Sequence, residues 1–144
     1  MNRSMLTAAF CAAAWAACAQ AAPTDGVLTD VLDRPALQSP IAAKKLLLSV
    51  AQAGDRLVAV GPRGHIVVSL DAGATWQQSQ VPLSSDLTAV HFPSPEAGWA
   101  VGHDGVVLAT TDGGVTWTKQ LDGRMVNDLV LADIQAKLDA NPES

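Results

Sequence analysis

The sequence predicts an all-β protein, two tandem four-stranded antiparallel units followed by a short C-terminal helix. Three observations predict it. An eighteen-residue pattern beginning at Gly61 recurs at Gly102 without a gap. Around it, short runs of Val, Leu, Thr and Trp alternate with Gly and Asp, which is strand-and-turn chemistry. Past Gly123 that rhythm stops, and Val126, Leu129, Val130, Ile134 and Leu138 fall at helical spacing.

The repeat defines the strands. GPRGHIVVSLDAGATWQQ aligns with GHDGVVLATTDGGVTWTK at an offset of 41 residues, and Ala59-Val60 aligns with Ala100-Val101 just upstream. The first unit is expected to place strands near 46–51, 56–61, 64–70 and 75–80. The second is expected to place them near 86–92, 97–102, 105–111 and 116–121. Gly61-Pro62-Arg63-Gly64 and Gly102-His103-Asp104-Gly105 make the turns between second and third strands, where Asp-Gly tolerates positive φ. The third strands are apolar on consecutive residues, so both of their faces should be covered, as when blade-like sheets stack. A four-stranded unit with a period of roughly 40–45 residues is the propeller-blade period. The two blades, 46–80 and 86–121, therefore read as a partial β-propeller.

Ahead of the blades, residues 1–22 read as a signal peptide. Arg3 gives a basic start, an apolar run from Met5 to Ala19 is too short to span a membrane, and Ala19-Gln20-Ala21 suits a signal peptidase. The chain is thus expected to be exported, to a periplasm or an equivalent lumen, with an N-terminus near Ala22 or Pro23. Trp15-Ala16-Ala17-Cys18 offers the alternative of a lipoprotein anchored at Cys18. Both cysteines, Cys11 and Cys18, fall inside the leader, so the processed chain would carry no disulfide and no cysteine nucleophile. Residues 23–45, with Pro23, Pro35 and Pro40, read as a linker that packs loosely or crosses to the sheet. Residues 122–144 read as a helical tail, with the helix over 126–140, and as the start of a truncated insertion.

Composition narrows the function classes. Arg3 is one of the nine Lys and Arg, so the processed chain sets eight of them against fourteen Asp and Glu. Only Lys44-Lys45 are adjacent, and phosphate neutralisation needs a concentrated basic surface, which argues against nucleic acid. No other apolar run approaches a membrane span. His65, His91 and His103 do not share metal-ligand spacing, and no cofactor motif is present.

Ser69-Leu70-Asp71-Ala72-Gly73-Ala74-Thr75-Trp76 and Thr110-Thr111-Asp112-Gly113-Gly114-Val115-Thr116-Trp117 both fit Ser/Thr-x-Asp-x-Gly-x-Thr-Trp. The spacing implies a structural device. The Asp carboxylate accepts from N–H groups of its own turn, and Gly supplies a conformation closed to other residues. Thr re-enters the next strand, and Trp offers an apolar plate to the core.

With HFPSPEAGWAVGHDGVVLATTDGGVTWTK, these motifs resemble the Asp-box, or bacterial neuraminidase repeat, superfamily. More narrowly they look like the photosystem II assembly and stability factor family, over residues 46–121. The resemblance implies a propeller that is not an enzyme and that binds a reaction-centre subunit precursor through an arginine-rich surface. Two blades where a propeller needs at least four imply a fragment or truncated relative, and Arg56, Arg63 and Arg124 are a meagre source for an arginine patch. Exposed blade edges and two uncovered sheet faces would favour self-association. The alternative is a glycosidase of the same superfamily. A sialidase-like site needs a Tyr nucleophile, and the sequence has no Tyr. Other glycosidases need two free carboxylates across a pocket. Glu96, Asp55, Asp86 and Asp104 are the candidates, while Asp71 and Asp112 belong to turns. Trp99 is expected to pack between blades and His103 to sit in a solvated turn.

Overall fold

The structure, a computed structural model, describes residues 29–141. The signal-peptide reading, Cys11, Cys18 and the last three residues lie outside them. Two four-stranded antiparallel sheets follow one another in simple up-and-down order. The first contains β1 (Ser49–Ala53), β2 (Arg56–Val60), β3 (Ile66–Ser69) and β4 (Gln77–Gln78). The second contains β5 (Leu87–His91), β6 (Gly98–Gly102), β7 (Val107–Thr110) and β8 (Thr118–Leu121). Helix α1 (Gly123–Ala140) is the last described element.

Pairing keeps the repeat in register. Val58 faces Val68 in the first sheet, and the equivalent Trp99 faces Ala109 in the second. The β2–β3 and β6–β7 turns each carry two successive left-handed residues. Arg63 and Asp104 have φ of 57° and 58°, each followed by a glycine, so the turn twists with the strands it joins. β4 is only two residues long against the expected 75–80. Thr75 and Trp76 are taken up by the loop before it, and Gln80 turns away to form an isolated bridge with Thr116, just ahead of β8.

The main core lies between the sheets. Val58, Val60, Ile66 and Val68 of the first pack against Leu87, Val90, Ala100 and Leu108 of the second. Phe92 meets Trp117 edge-to-face at 5.9 Å between ring centroids, a favoured aromatic geometry. The third strands differ. β3 is buried throughout, while Val107 and Ala109 of β7 are half-open, because no layer of the described residues covers that side of the second sheet.

The segment before the blades crosses onto the sheets and does not pack loosely. Leu32 and Ala36 enter the core, Ala36 N–H donates to Val81 O, and Ser84 N–H donates to Val31 O. Ala42, in a single tight turn, packs with Ala43, Leu47 and Trp76 over Ala59 and Val67. The expectation of two uncovered sheet faces is thereby corrected to one. Trp99, expected between blades, sits on the remaining open face, 45% exposed.

α1 starts three residues earlier than the apolar spacing suggested, because Asp122 caps it by accepting from Met125 N–H at 2.9 Å. The carboxylate of Asp122 is also held by Lys119 Nζ at 2.7 Å, and Lys119 donates to Leu32 O. Arg124 forms a bidentate pair with Asp33, both contacts at 2.8 Å. Beyond this anchored base, no side chain of α1 is buried.

Candidate functional site: paired Asp boxes at the blade seam

Each box is a closed hydrogen-bond circuit. In the first, Ser69 Oγ donates to Asp71 Oδ1 at 2.8 Å and accepts from Gly73 N–H at 2.7 Å. Asp71 accepts from Thr75 N–H at 2.8 Å and from the Thr75 hydroxyl. Trp76 Nε1 donates to Gly73 O at 3.0 Å. The second box repeats the circuit with Thr110, Asp112, Gly114, Thr116 and Trp117, and adds Val115 N–H to the donors on Asp112. The hydroxyl of Ser69 or Thr110 therefore bridges the carboxylate to the glycine N–H. The sequence pattern contains that residue without disclosing its role.

The circuits govern ionisation. The Thr75 hydroxyl and N–H, with the Ser69 hydroxyl, hold Asp71 down to about 2. At Asp112 burial opposes the charge, but bonds from Thr116, Thr110 and Val115 outweigh it and keep the carboxyl below the usual range.

The two boxes occupy different surroundings. The first is largely exposed, with Trp76 only partly covered. The second is partly buried in the seam between sheets, where Gly113, Gly114 and Trp117 are covered and Trp117 is 4% exposed. Five contacts sew it in place, one of them from Gln80 N–H to Val115 O at 3.3 Å. Arg56 Nη1 donates to Asp112 O at 2.9 Å, Gly113 N–H donates to Glu96 O at 2.8 Å, the Ser79 hydroxyl donates to Gly114 O, and Trp117 N–H donates to Gln80 O. Gly114 has φ of 91°, and a Cβ there would lie 3.1 Å from Val58, so this position is closed both by conformation and by its neighbour. Gly73 shares the φ, but a Cβ would meet nothing nearer than 3.6 Å.

The remaining candidates separate. His65 is buried, and that burial pushes its imidazole below the ordinary value. His91 lies opposite Trp99 on the open face, and His103 is exposed in its turn. No cluster among the described residues could hold a metal ion. Asp86 accepts from Arg63 N–H at 2.8 Å, and Asp104 accepts from the Ser85 hydroxyl, so both carboxylates are engaged locally. Asp55 and Glu96 instead line one shallow groove with Arg56, Pro95 and Asp112. Asp55 and Glu96 are repeat equivalents, 41 residues apart in hairpins of neighbouring blades, and that equivalence was the available signal for their meeting. The arginines do not gather, since Arg56 is spent on the seam and Arg124 on Asp33.

An up-and-down blade closed by this circuit, repeated and sewn face to face, defines an Asp-box propeller module. The family model described as photosynthesis system II assembly factor YCF48 matches residues 68–139, half of the chain, and the chain belongs to that family. The chain is 37% identical over 81 residues to the photosystem II stability/assembly factor HCF136, chloroplastic, of Cyanidioschyzon merolae. That match takes in 52% of this chain and 18% of the relative, so the chain spans under a fifth of the relative's length. Among solved structures, YCF48 bound to D1 peptide is 31% identical with a TM-score of 0.47, over 53% of this chain and 26% of that one. An ancestral GH74 enzyme is 18% identical with a TM-score of 0.42, over 51% of this chain and 13% of that one.

Proposed function

We propose that the chain is an exported, non-catalytic binding module that acts in the assembly of a membrane-protein complex by holding a peptide segment of an unassembled subunit. The observation that carries the proposal is the family match over residues 68–139, which spans the whole second blade, its Asp box and all but the last residue of α1. The curated relative is likewise named as an assembly factor. In this reading Ser69, Asp71, Gly73, Thr75 and Trp76, and their counterparts Thr110, Asp112, Gly114, Thr116 and Trp117, build the frame and do not touch substrate. Their hydrogen-bonding capacity is already committed within the circuits, which supports a structural role.

Export rests on the leader, and the expected product begins near Ala22 or Pro23. N-terminal sequencing of the protein expressed with its own leader checks this. A retained Met1 on the soluble product refutes export, and a lipid on Cys18 replaces free export by anchoring.

Binding is tested by fluorescence anisotropy with a labelled D1-derived peptide, beside turnover of aryl glycosides by the same preparation. Saturable peptide binding without turnover is the expected result. Turnover that disappears in Asp55→Asn or Glu96→Gln, with an unchanged melting temperature, would establish the glycosidase alternative through the groove those two carboxylates share.

A further inference from the structure

Gln78 and Gln80 both turn their backbone groups outward from the first sheet, and only one of them finds partners. Gln78 stands opposite Val67 and Gln77 opposite Val68, while Ser79 N–H donates to Ile66 O. Backbone groups of an antiparallel strand alternate between its partner and its other side, so those of Gln78 and Gln80 point away from β3. Gln80 N–H donates to Val115 O and Gln80 O accepts from Trp117 N–H, both at 3.3 Å, which makes the parallel bridge to Thr116. At Gln78 that ladder has stopped. Val115 N–H turns into its own box and donates to Asp112 Oδ1 at 2.9 Å. No described residue takes up the N–H or the carbonyl of Gln78. The Gln78 side chain, in contrast, is bonded to Ser39 N–H and Leu37 O, which fixes the residue in place.

A groove of about 170 Å³ lies beside this vacant rung, lined by Arg56, Val68, Leu70, Thr75, Gln78 and Val115 among others. Val68 is buried, whereas Leu70 and Val115 are 69% and 52% exposed. A cavity of about 150 Å³ accepts a benzene ring, so the groove has room for one Leu, Ile or Phe side chain. Its walls belong to both described blades, and β4 is the outer strand of its sheet. A further blade stacked against either end of the pair would therefore leave the groove open. Nor is the edge blunted by charge, since Gln77 and Gln78 are both neutral.

We propose that an extended peptide adds to β4 as a short fifth strand, bonded to the N–H and carbonyl of Gln78, with one large apolar side chain in the groove between Leu70 and Val115. The proposal rests on the peptide-holding reading above and states where that peptide lies. The peptide continues from outside the parallel ladder that the blade seam begins at Gln80 and leaves unfinished. Backbone pairing supplies affinity, and the groove supplies a preference for an apolar residue at one position. Neighbouring side chains of an added strand point the other way and are read less strictly.

Titration of the full chain into a labelled D1-derived peptide tests this, with amide exchange at Gln78 followed by NMR in the same samples. Saturation should slow exchange of the Gln78 N–H by about tenfold or more. Val115→Asp, at an exposed position, should weaken binding by about tenfold or more with an unchanged melting temperature. Gln78→Pro deletes the outward N–H, a change that an edge strand tolerates, and should weaken binding similarly. Gln78→Ala loses the same side-chain bonds but keeps the N–H, and should bind as the wild type does. If Gln78→Pro does not fold, Val115→Asp and the amide exchange decide. A peptide that saturates the wild type while Gln78 exchange and the affinity of Val115→Asp stay unchanged overturns the inference and leaves the peptide-holding reading standing. A wild type that binds no peptide overturns both.

Discussion

Arg56 reaches across the blade seam and donates from Nη1 to the backbone carbonyl of Asp112, the residue around which the second Asp box is wound. The contact ties the start of β2 to a loop 56 residues later. Gly113 is left-handed with φ of 73°, and a Cβ there would displace that guanidinium. An Asp box is thus more than a local turn when its backbone faces another blade.

Removing this tie should loosen the seam. Arg56→Ala is expected to lower stability by about 1–2 kcal/mol, the scale of a partly exposed hydrogen bond from a charged donor. Arg56→Lys should restore little of it, since an ammonium lacks the planar fork that reaches the carbonyl. Urea denaturation of the three proteins gives the comparison, and equal midpoints would show that the seam does not depend on Arg56.

The two boxes should differ in their tolerance of substitution. Asp112→Ala strips acceptors from Thr116 and Val115 N–H at the exposed rim of the seam and is expected to cost about 0.5–1.5 kcal/mol. Asp71→Ala, on an exposed box, should be milder. Gly114→Val should be worse than Gly73→Val, because the two share a left-handed φ but only Gly114 has Val58 within 3.1 Å. Thermal melts of the four variants rank them, and a larger loss at Gly73 than at Gly114 would contradict the packing described.

Acid should unfasten the first box in a defined window. The folded-state carboxyl of Asp71 is held at about 2, below its unfolded value, so its contribution is present above about pH 4. That contribution is lost as pH falls from about 4 towards 2, where protonation removes the charged acceptor. Asp112 and Asp122 are shifted in the same direction, so the acid loss should be steeper than one group gives. Melting temperature against pH for wild type and Asp71→Asn should converge at the acid end and separate above pH 4. Parallel curves would show that Asp71 does not titrate with folding.

The base of α1 should respond to loss of its cap. Asp122→Ala removes the acceptor of Met125 N–H and the partner of Lys119 together. Circular dichroism at the helix band should weaken, while the strand signal persists. A helix signal unchanged in this variant would place the stability of α1 elsewhere.

Much of the fold was legible because two signals agreed, the 41-residue repeat and the strand-and-turn alternation. Gly102, Asp104 and Gly105 announced their turn, and Asp112, Gly114 and Trp117 announced their box, because each constraint lies within a few residues. The seam was not legible. Arg56 carries no local mark of a partner at Asp112, and a chain position says nothing about which carbonyl a guanidinium will reach. The segment around Leu32 and Ala36 has no period to read, since it runs across the sheets as neither strand nor helix. The start of α1 was missed by three residues because apolar spacing reports the buried-looking row and not the polar cap at Asp122. Asp55 and Glu96 carry no local sign of their meeting, and repeat equivalence alone places their corresponding hairpins side by side.

The crossing of the N-terminal segment has a consequence for when the molecule can finish folding. Leu32 O waits for Lys119, 87 residues later in the chain, and Asp33 waits for Arg124, 91 residues later. A chain that emerges N-terminus first, from the ribosome or across a membrane, exposes those partners last. Contacts so distant in sequence also slow closure once both ends exist. The first sheet can form its hairpins early, but Leu32 and Ala36 complete the shared core only after β5 to β8 have been made. The earliest-synthesised part of the described chain is therefore among the last to be secured, and until then its apolar residues are available to chaperones or to the wrong neighbour.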